Sequence, residues 1–206
     1  MATYLWRLKL INILGISGKR ESGKTSLANF LVEDYGFLRV SLANPLKEFC
    51  RKRWGLTQEQ VYGKEKETPT KYRRTDGSYY TPRDILIREG CLARSIDPNY
   101  WCDQLKGYID FMSSDTTVKN FVIDDIRFLN EVEYFSKLGA KFVRLERSQK
   151  AIGKAALDDL SECELDSYKD WDGLLLEEFN RDLSDLRRFA SYVNERVVNY
   201  SLSEEL

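Results

Sequence analysis

The residues from Gly18 to Thr25, GKRESGKT, have the types and spacing to bind phosphate. They follow the pattern GxxxxGK[ST], in which a glycine-rich turn points successive backbone N–H groups at phosphate oxygens. Glycine is needed at the two fixed positions because a β-carbon would block positive φ angles and keep a ligand from the backbone. In this pattern Lys24 reaches the β- and γ-phosphates, and the hydroxyl of Thr25 ligates Mg²⁺. We therefore predict a site for a nucleoside triphosphate and Mg²⁺ whose loop contacts come from Gly18, Arg20, Ser22, Gly23, Lys24, Thr25 and Ser26.

Two acids, Asp124 and Asp125, follow the apolar run FVI. Such a run predicts a buried strand, and Mg²⁺ must also be held from the side opposite Thr25. Side chains alternate along a strand, so the two acids should point in different directions and only one needs to contact the metal. The alternative is a strand-end turn or a helix N-cap, since aspartate is common at both.

Arg127 and Glu131 lie four residues apart at the start of the next predicted helix, and therefore on one helix face. An arginine two residues beyond a metal-side acid should face the crevice at the strand ends, where phosphates would lie. We therefore predict that Arg127 contacts phosphate, and that Glu131 fixes the arginine or contacts the acceptor. The alternative is a surface ion pair that contributes about 0.3–0.5 kcal/mol to stability.

The composition excludes several kinds of chemistry. The 206 residues include no histidine, which excludes imidazole acid–base catalysis, His-containing triads and HExxH metal sites. No apolar stretch has the length of a membrane span, and the first residues lack the continuous apolar core of a signal peptide. The cysteines form no CxxC pair, which argues against a zinc ribbon or a disulfide framework and favours reduced thiols in the cytoplasm: Cys50, Cys91, Cys102 and Cys163.

The formal net charge of −1 hides an uneven distribution. Residues 47–94 carry 12 Lys and Arg against 7 Asp and Glu, a balance that suits an anionic substrate. Residues 155–206 carry 5 against 14, which is typical of a solvated helical surface. The sequence has no long basic stripe with interleaved aromatic residues, so we do not expect it to bind nucleic acid.

Apolar periodicity indicates strands and helices in alternation. The predicted strands lie near residues 10–16, 37–40, 121–123, 141–146 and 173–179. The predicted helices begin after Gly23, near Pro45, and at Thr81–Pro82, and others cover 97–112, 127–139 and 182–197. Residues 56–80 are polar and turn-rich and should leave the core, whereas the irregular residues 147–172 should fold over a ligand. This order predicts an α/β fold of the P-loop NTPase type, with three layers and a mainly parallel sheet of about five strands flanked by helices.

Several segments together resemble one enzyme family. FVIDDIRFLNE resembles the D-x-R-x-x-N-E signature of phage-type deoxynucleoside monophosphate kinases, with Asp125, Arg127, Asn130 and Glu131 in the matching places. Three other segments resemble further parts of that family: SLANPLKE, TPRDILIREGCLARSIDPNYW and DGLLLEEFN. The residues in them that match the family's functional positions are Lys47, Arg83, Arg94, Trp101 and Asn180. The family's lid often has a His before a Ser-Glu pair, where this chain has Leu160 before Ser161 and Glu162.

The resemblance implies ATP-dependent phosphorylation of a deoxynucleoside monophosphate in a single P-loop kinase domain. It implies a helical acceptor-binding region at about 42–115, a lid-like segment at about 147–172, and an ATP contact from Asn180. The acceptor would be held by Lys47, Arg83, Arg94, Trp101, Arg127 and Glu131. Lys24, Asp125, Arg127, Glu131 and the lid arginine Arg147 would act in catalysis, and Thr25, Asp124 and Asp125 are the candidate metal ligands. We expect small-molecule partners, no membrane, and a cytoplasmic location (in a host cell if a phage encodes the chain), and a homodimer is left open.

Three alternatives remain at this point. Trp101 could stack on the acceptor base or be a half-buried core residue. The acceptor could be another small molecule, such as dephospho-coenzyme A or a nucleoside. The chain could instead be a P-loop ATPase or switch, which would hydrolyse ATP without any acceptor.

Overall fold

The computed structural model describes residues 11–115, 117–147, 163–177 and 183–198. The strands are β1 (Asn12–Gly18), β2 (Leu38–Val40), β3 (Asn120–Ile126), β4 (Lys141–Arg147) and β5 (Gly173–Glu177). The helices are α1 (Lys24–Tyr35), α2 (Ala43–Trp54), α3 (Gln58–Tyr62), α4 (Pro82–Ile96), α5 (Tyr100–Asp115), α6 (Leu129–Ser136) and α7 (Leu183–Tyr192). Two 3₁₀ turns (Lys64–Glu67 and Glu164–Ser167) and a π-helical turn after α7 (Val193–Val198) complete the described elements.

The five strands form one sheet in the order β2-β3-β1-β4-β5, and every neighbouring pair is parallel. The predicted sheet is therefore confirmed. The chain leaves β1 toward β2 on one side, and returns past β1 to build β4 and β5 on the other. A ligand crevice is expected where the strand order reverses in this way, at the carboxyl ends of the strands. The carboxyl ends of β1, β3 and β4 lie at this edge of the sheet.

The sheet is covered on both faces by apolar side chains. On one face Leu14 and Ile16 of β1 are fully buried, together with Leu27 and Leu31 of α1. Leu186, Phe189 and Ala190 of α7 complete this cluster. The opposite face holds fully buried side chains of β3, including Phe121 and Ile123. The connections through α1 and α6 run in opposite directions along the sheet. Because such connections are right-handed, they place helices on both faces of the sheet.

Residues 41–106 form a compact unit of their own, and the remaining described residues form another. The core of residues 41–106 consists of Cys50, Leu56, Val61 and Ile85, with partly buried aromatic residues around it. Residues 56–80, which we expected to leave the core, lie in this unit and contribute to its own core: Leu56 and Val61 are buried, and the hydroxyl of Tyr72 donates to the carbonyl of Trp54. Scattered apolar residues are enough to anchor a stretch whose composition is mainly polar.

The predicted start of α4 is confirmed in detail. The hydroxyl of Thr81 accepts a hydrogen bond from the N–H of Asp84 at 3.2 Å, and the Asp84 carboxylate accepts from the N–H of Thr81 at 2.8 Å. This reciprocal pair is a capping box, and Pro82 occupies the first turn. Among the described helices, none has both the length and the apolar character needed to cross a membrane.

Candidate active site

The loop between β1 and α1 requires its two glycines. Gly18 has a φ of 142° and Gly23 a φ of 97°, both in the region that favours glycine. A β-carbon on Gly18 would lie 2.4 Å from the backbone carbonyl oxygen of Leu145 and 2.6 Å from the hydroxyl oxygen of Ser22. The backbone of Gly18 is therefore pressed against β4, and the loop leaves no room for a side chain there.

The amino end of α1 is available to an anion. Its N-cap is Gly23, and within the described part of the chain the cap has no side-chain hydrogen bond and the first turn has no acid. The first N–H groups of a helix have no partner within the helix, and they carry a partial positive charge. Thr25 is exposed at the second position of α1, and Ser26 follows it.

Two polar side chains fit a phosphate within this loop. The ammonium of Lys24 donates to the carbonyl oxygens of Gly18 and Lys19, the latter at 2.6 Å, so it lies at the loop backbone. The hydroxyl of Ser22 is buried and has no hydrogen-bond partner among the described residues. An unpaired buried hydroxyl costs about 1–3 kcal/mol, which a phosphate oxygen would recover. The glycine cradle, the orphaned hydroxyl and the ammonium group together fit a nucleotide phosphate.

The two acids of β3 lie at a bulge in the sheet. Gly15 of β1 pairs with Ile123, but Ser17 pairs with Ile126, so β3 has one extra residue between these pairs. The extra residue lies within the Asp124–Asp125 pair. A bulge breaks the regular alternation of side chains and is common beside active sites, where it changes the direction of a side chain.

Asp124 is engaged by an arginine that the sequence interpretation missed. Its carboxylate is only 7% exposed and accepts a hydrogen bond from Nε of Arg39 in β2 at 2.8 Å. Burial raises the pKa of Asp124, the neighbouring charge of Asp125 raises it further, and Arg39 opposes both effects. Asp125 is the less buried of the two acids. The only sequence signal for Arg39 was a cation within the short apolar strand FLRV.

Glu131 holds the backbone at the turn between β3 and α6. One of its carboxylate oxygens accepts from the N–H of Arg127 at 2.7 Å and from that of Phe128 at 3.1 Å, and the side chain is 7% exposed. Both of these donors are backbone N–H groups. Such bonds fix the point at which the chain leaves β3 and so the origin of the Arg127 side chain. The expected contacts of Arg127 with phosphate and of Glu131 with an acceptor stay predictions.

A second cluster beside the loop was not predicted. The ammonium of Lys19 lies 2.9 Å from the carboxylate of Asp166, which also pairs with the guanidinium of Arg144. Arg144 is 5% exposed and donates to the carbonyl of Leu165 at 3.0 Å. Burial raises the pKa of Asp166, but hydrogen bonds and charges from Lys19 and Arg144 outweigh it and lower the pKa overall. A cation in the middle of the strand KFVRLE was the only sign in the sequence.

The predicted acceptor residues Lys47, Arg83, Arg94 and Trp101 all lie in the unit formed by residues 41–106. The Lys47 ammonium lies 4.7 Å from the ring centroid of Tyr62, Arg83 pairs with Glu67, and a guanidinium nitrogen of Arg94 lies 3.8 Å from the sulfur of Cys91. These contacts are within the unit, and the acceptor roles stay predictions.

Trp101 is a core residue that also lines a cavity. It is 6% exposed, and its indole N–H donates to the carbonyl of Gly90 at 3.3 Å. The cavity has a volume of about 240 Å³ and is mainly apolar, with a lining of Phe49, Glu89, Leu92, Ala93, Ile96, Tyr100 and Trp101. The residues Leu160, Ser161, Glu162 and Asn180 and the side chain of Arg147 lie outside the described part of the chain.

Several known proteins resemble the chain, although no family model matches it. A protein of Acanthamoeba polyphaga mimivirus, provisionally named a deoxynucleotide monophosphate kinase, is 32% identical over 198 residues, with coverage of 88% of this chain and 99% of that protein. A solved dephospho-CoA kinase from Campylobacter jejuni aligns over 92% of this chain and 99% of its own, with a TM-score of 0.51 and 12% identity. A sugar kinase from a Janibacter species aligns over 90% of this chain and 95% of its own, with a TM-score of 0.43 and 14% identity. The likeness to the dephospho-CoA kinase confirms the predicted P-loop kinase fold.

Proposed function

Because the chain belongs to the deoxynucleotide monophosphate kinase family, we propose that it transfers the γ-phosphoryl group of ATP to a deoxynucleoside monophosphate. In the transfer, an oxygen of the acceptor phosphate forms a bond to the γ-phosphorus while the bond to the β–γ bridging oxygen breaks. The products are ADP and a deoxynucleoside diphosphate, which would supply DNA synthesis. The observation that carries the proposal is the phosphate loop, with Gly18 against β4, the orphaned hydroxyl of Ser22 and the Lys24 ammonium in one place.

Lys24 is the residue we assign to charge stabilisation. Its ammonium group is held by neutral carbonyl oxygens, which it can exchange for the more strongly attracting β- and γ-phosphate oxygens. Charge on these oxygens changes during transfer, so a cation fixed beside them lowers the barrier. The N–H groups at the start of α1, with Ser22 and Ser26, would bind the remaining oxygens, and Arg20 lies on the exposed side of the loop.

Asp125 is the better candidate for the metal side of the site. Mg²⁺ usually takes one or two protein ligands and completes its shell with phosphate oxygens and water, and when bound it would neutralise phosphate charge. Thr25 supplies a hydroxyl, and the ion pair of Asp124 with Arg39 competes with any cation for that carboxylate. Among the described residues no group of three or more His, Cys, Asp or Glu could hold a metal ion.

Arg127 is the residue we assign to the acceptor phosphate. Its planar guanidinium can hold two phosphate oxygens at once, which a lysine cannot do. Glu131 positions it by bonding to its backbone N–H. For Lys47, Arg83, Arg94 and Trp101 we keep the acceptor-binding roles that the family resemblance implies, and for Arg147 and Asn180 the lid and ATP roles.

A coupled assay that follows ADP release tests the proposal. ATP should turn over with one or more of dAMP, dGMP, dCMP and dTMP, and the four ribonucleotides define the selectivity for the sugar. Lys24→Ala should lower kcat by about 100-fold or more with the fold intact, because it removes charge stabilisation worth several kcal/mol. Turnover with dephospho-coenzyme A or a nucleoside alone would assign another acceptor. Equal hydrolysis of ATP with no acceptor, or stimulation by DNA, would overturn the kinase assignment.

A further inference from the structure

The 3₁₀ turn Glu164–Ser167 contacts two parts of the candidate site, the phosphate loop and the start of α6. On one side Asp166 pairs with Lys19 of the phosphate loop at 2.9 Å. On the other, the Glu164 carboxylate accepts from the backbone N–H of Leu129 at 2.8 Å, at the start of α6 and two residues beyond Arg127. Leu165 between the two acids is 3% exposed, so the turn is itself anchored.

Lys19 is the residue whose backbone organises the loop. Its carbonyl oxygen accepts from the Lys24 ammonium at 2.6 Å and from the N–H of Ser22 at 3.2 Å. Glu21, within the same turn, has a φ of 64°, a left-handed conformation that costs a residue with a side chain about 1–2 kcal/mol. The conformation of the loop is therefore not the one that its own sequence favours most, and contacts from outside the loop would help to maintain it.

Arg144 makes Asp166 a fixed partner and not a freely moving surface acid. It lies on β4 beside the end of β1, where Ser17 pairs with it in the sheet register. Its guanidinium is nearly buried and is satisfied by Asp166, by Glu146 at 2.9 Å and by the Leu165 carbonyl. The carboxylate is thus held at a set position relative to the strand that ends in the loop.

We propose that Asp166 is a positioning residue for nucleotide binding, which holds Lys19 and so keeps the phosphate loop in its binding conformation. The inference rests on the proposed function, because it assigns the loop to a nucleotide. Arg144 supplies the fixed attachment, and no contact between Asp166 and the nucleotide is required. The benefit is preorganisation, since a loop already held in shape loses less conformational entropy when the ligand binds.

The opposing view is that Lys19 itself binds phosphate and that Asp166 competes for it. The two views predict opposite signs for one substitution. Asp166→Asn removes the charge at nearly constant volume. If Asp166 holds the loop, the variant should bind ATP about 10-fold more weakly; if it competes, the released Lys19 should make binding tighter.

The test measures the Kd of ATP by calorimetry without any acceptor, together with the Tm of each variant. Asp166→Asn and Lys19→Met should each raise Kd about 10-fold, and the double variant should be no weaker than either single one, because both break the same link. Asp166→Glu should recover part of the affinity. kcat at saturating ATP should change less than KM for ATP, which a general loss of folding would not produce.

Asp34→Asn is the matched control, because Asp34 pairs with Arg187 of α7 in an ion pair of the same unit. It should leave the Kd of ATP unchanged. Equal Kd values for wild type and Asp166→Asn, or additive losses in the double variant, would overturn the inference while the kinase proposal stood. Failure of the wild-type chain to bind ATP would overturn both. If Asp166→Asn folds poorly, Lys19→Met still tests the inference, since it leaves the Asp166–Arg144 pair intact and an unchanged Kd of ATP in this variant would overturn the inference.

Discussion

Gly18→Ala should destabilise the chain and abolish nucleotide binding together. The new β-carbon would lie 2.4 Å from the carbonyl oxygen of Leu145 and 2.6 Å from Oγ of Ser22. The hydroxyl can rotate away, but the carbonyl belongs to the backbone of β4, so the clash with it can only be relieved by moving a strand. A φ of 142° adds strain of about 1–3 kcal/mol for a residue with a side chain. With about 1–3 kcal/mol for the forced backbone shift, the cost is about 2–6 kcal/mol.

Gly36→Ala is the control, because Gly36 ends α1 at a φ of 69° and has open space where a β-carbon would lie. Only the left-handed conformation is then penalised, at about 1–2 kcal/mol. For a chain of this size, that corresponds to a fall in Tm of about 2–8 °C. Its nucleotide affinity should stay at the wild-type value.

Urea unfolding and ATP calorimetry on the two variants separate strain from function. Gly18→Ala should lose at least about 100-fold in ATP affinity, since a displacement of about 1 Å in a positioned site has effects of this size. A Gly18→Ala variant that binds ATP normally would refute the assignment of this loop as the phosphate site. Equal destabilisation of the two variants would show that the contact with β4 is relieved without cost.

Three further predictions concern the metal, the acceptor and pH. Asp125→Asn should raise the Mg²⁺ concentration needed for half-maximal activity, while Asp124→Asn should not; a reversed order would place the metal beside Asp124. Arg127→Lys keeps the charge but loses the fork, so kcat should fall by about 100-fold with little change in the Kd of ATP, and near wild-type turnover would remove Arg127 from the site. The hydrogen bond from Arg187 lowers the pKa of Asp34 below its ordinary 3.8. The interaction of Asp34 with Arg187 therefore contributes to stability above about pH 3.8, and this contribution is lost as the pH falls through the lower, folded-state pKa. The prediction would be contradicted if the Asp34→Asn variant lost as much unfolding free energy as the wild type between pH 5 and 2.

The parts of the site that could be predicted are those encoded over a few neighbouring residues. Gly18 and Lys24 lie in one short loop, where positive φ angles and phosphate contacts dictate residue types. Thr81 and Pro82 predict the start of α4 for a similar reason, since capping involves only residues within one turn. Parallel order followed from the alternation of apolar strands and amphipathic helices.

The parts that could not be predicted depend on pairs distant in sequence. Arg39 and Asp124 are 85 residues apart, and nothing in either neighbourhood specifies the other. Arg144 and Asp166 lie on separate elements in the same way. Such pairs change the interpretation of the local pattern, because the Arg39 pair engages one of two acids that the sequence treated as equivalent candidates.

The partners of three cations suggest a division of labour in the site. Lys24 is held by carbonyl oxygens, whereas Lys19 and Arg39 are held by carboxylates. A cation gains electrostatic energy when it exchanges a neutral partner for a phosphate, but gains much less when it must first give up an anion. Lys24 is therefore the cation expected to transfer its bonds to the nucleotide. Lys19 and Arg39 are expected to keep their carboxylates and to maintain the shape of the loop and of the β3 edge around it.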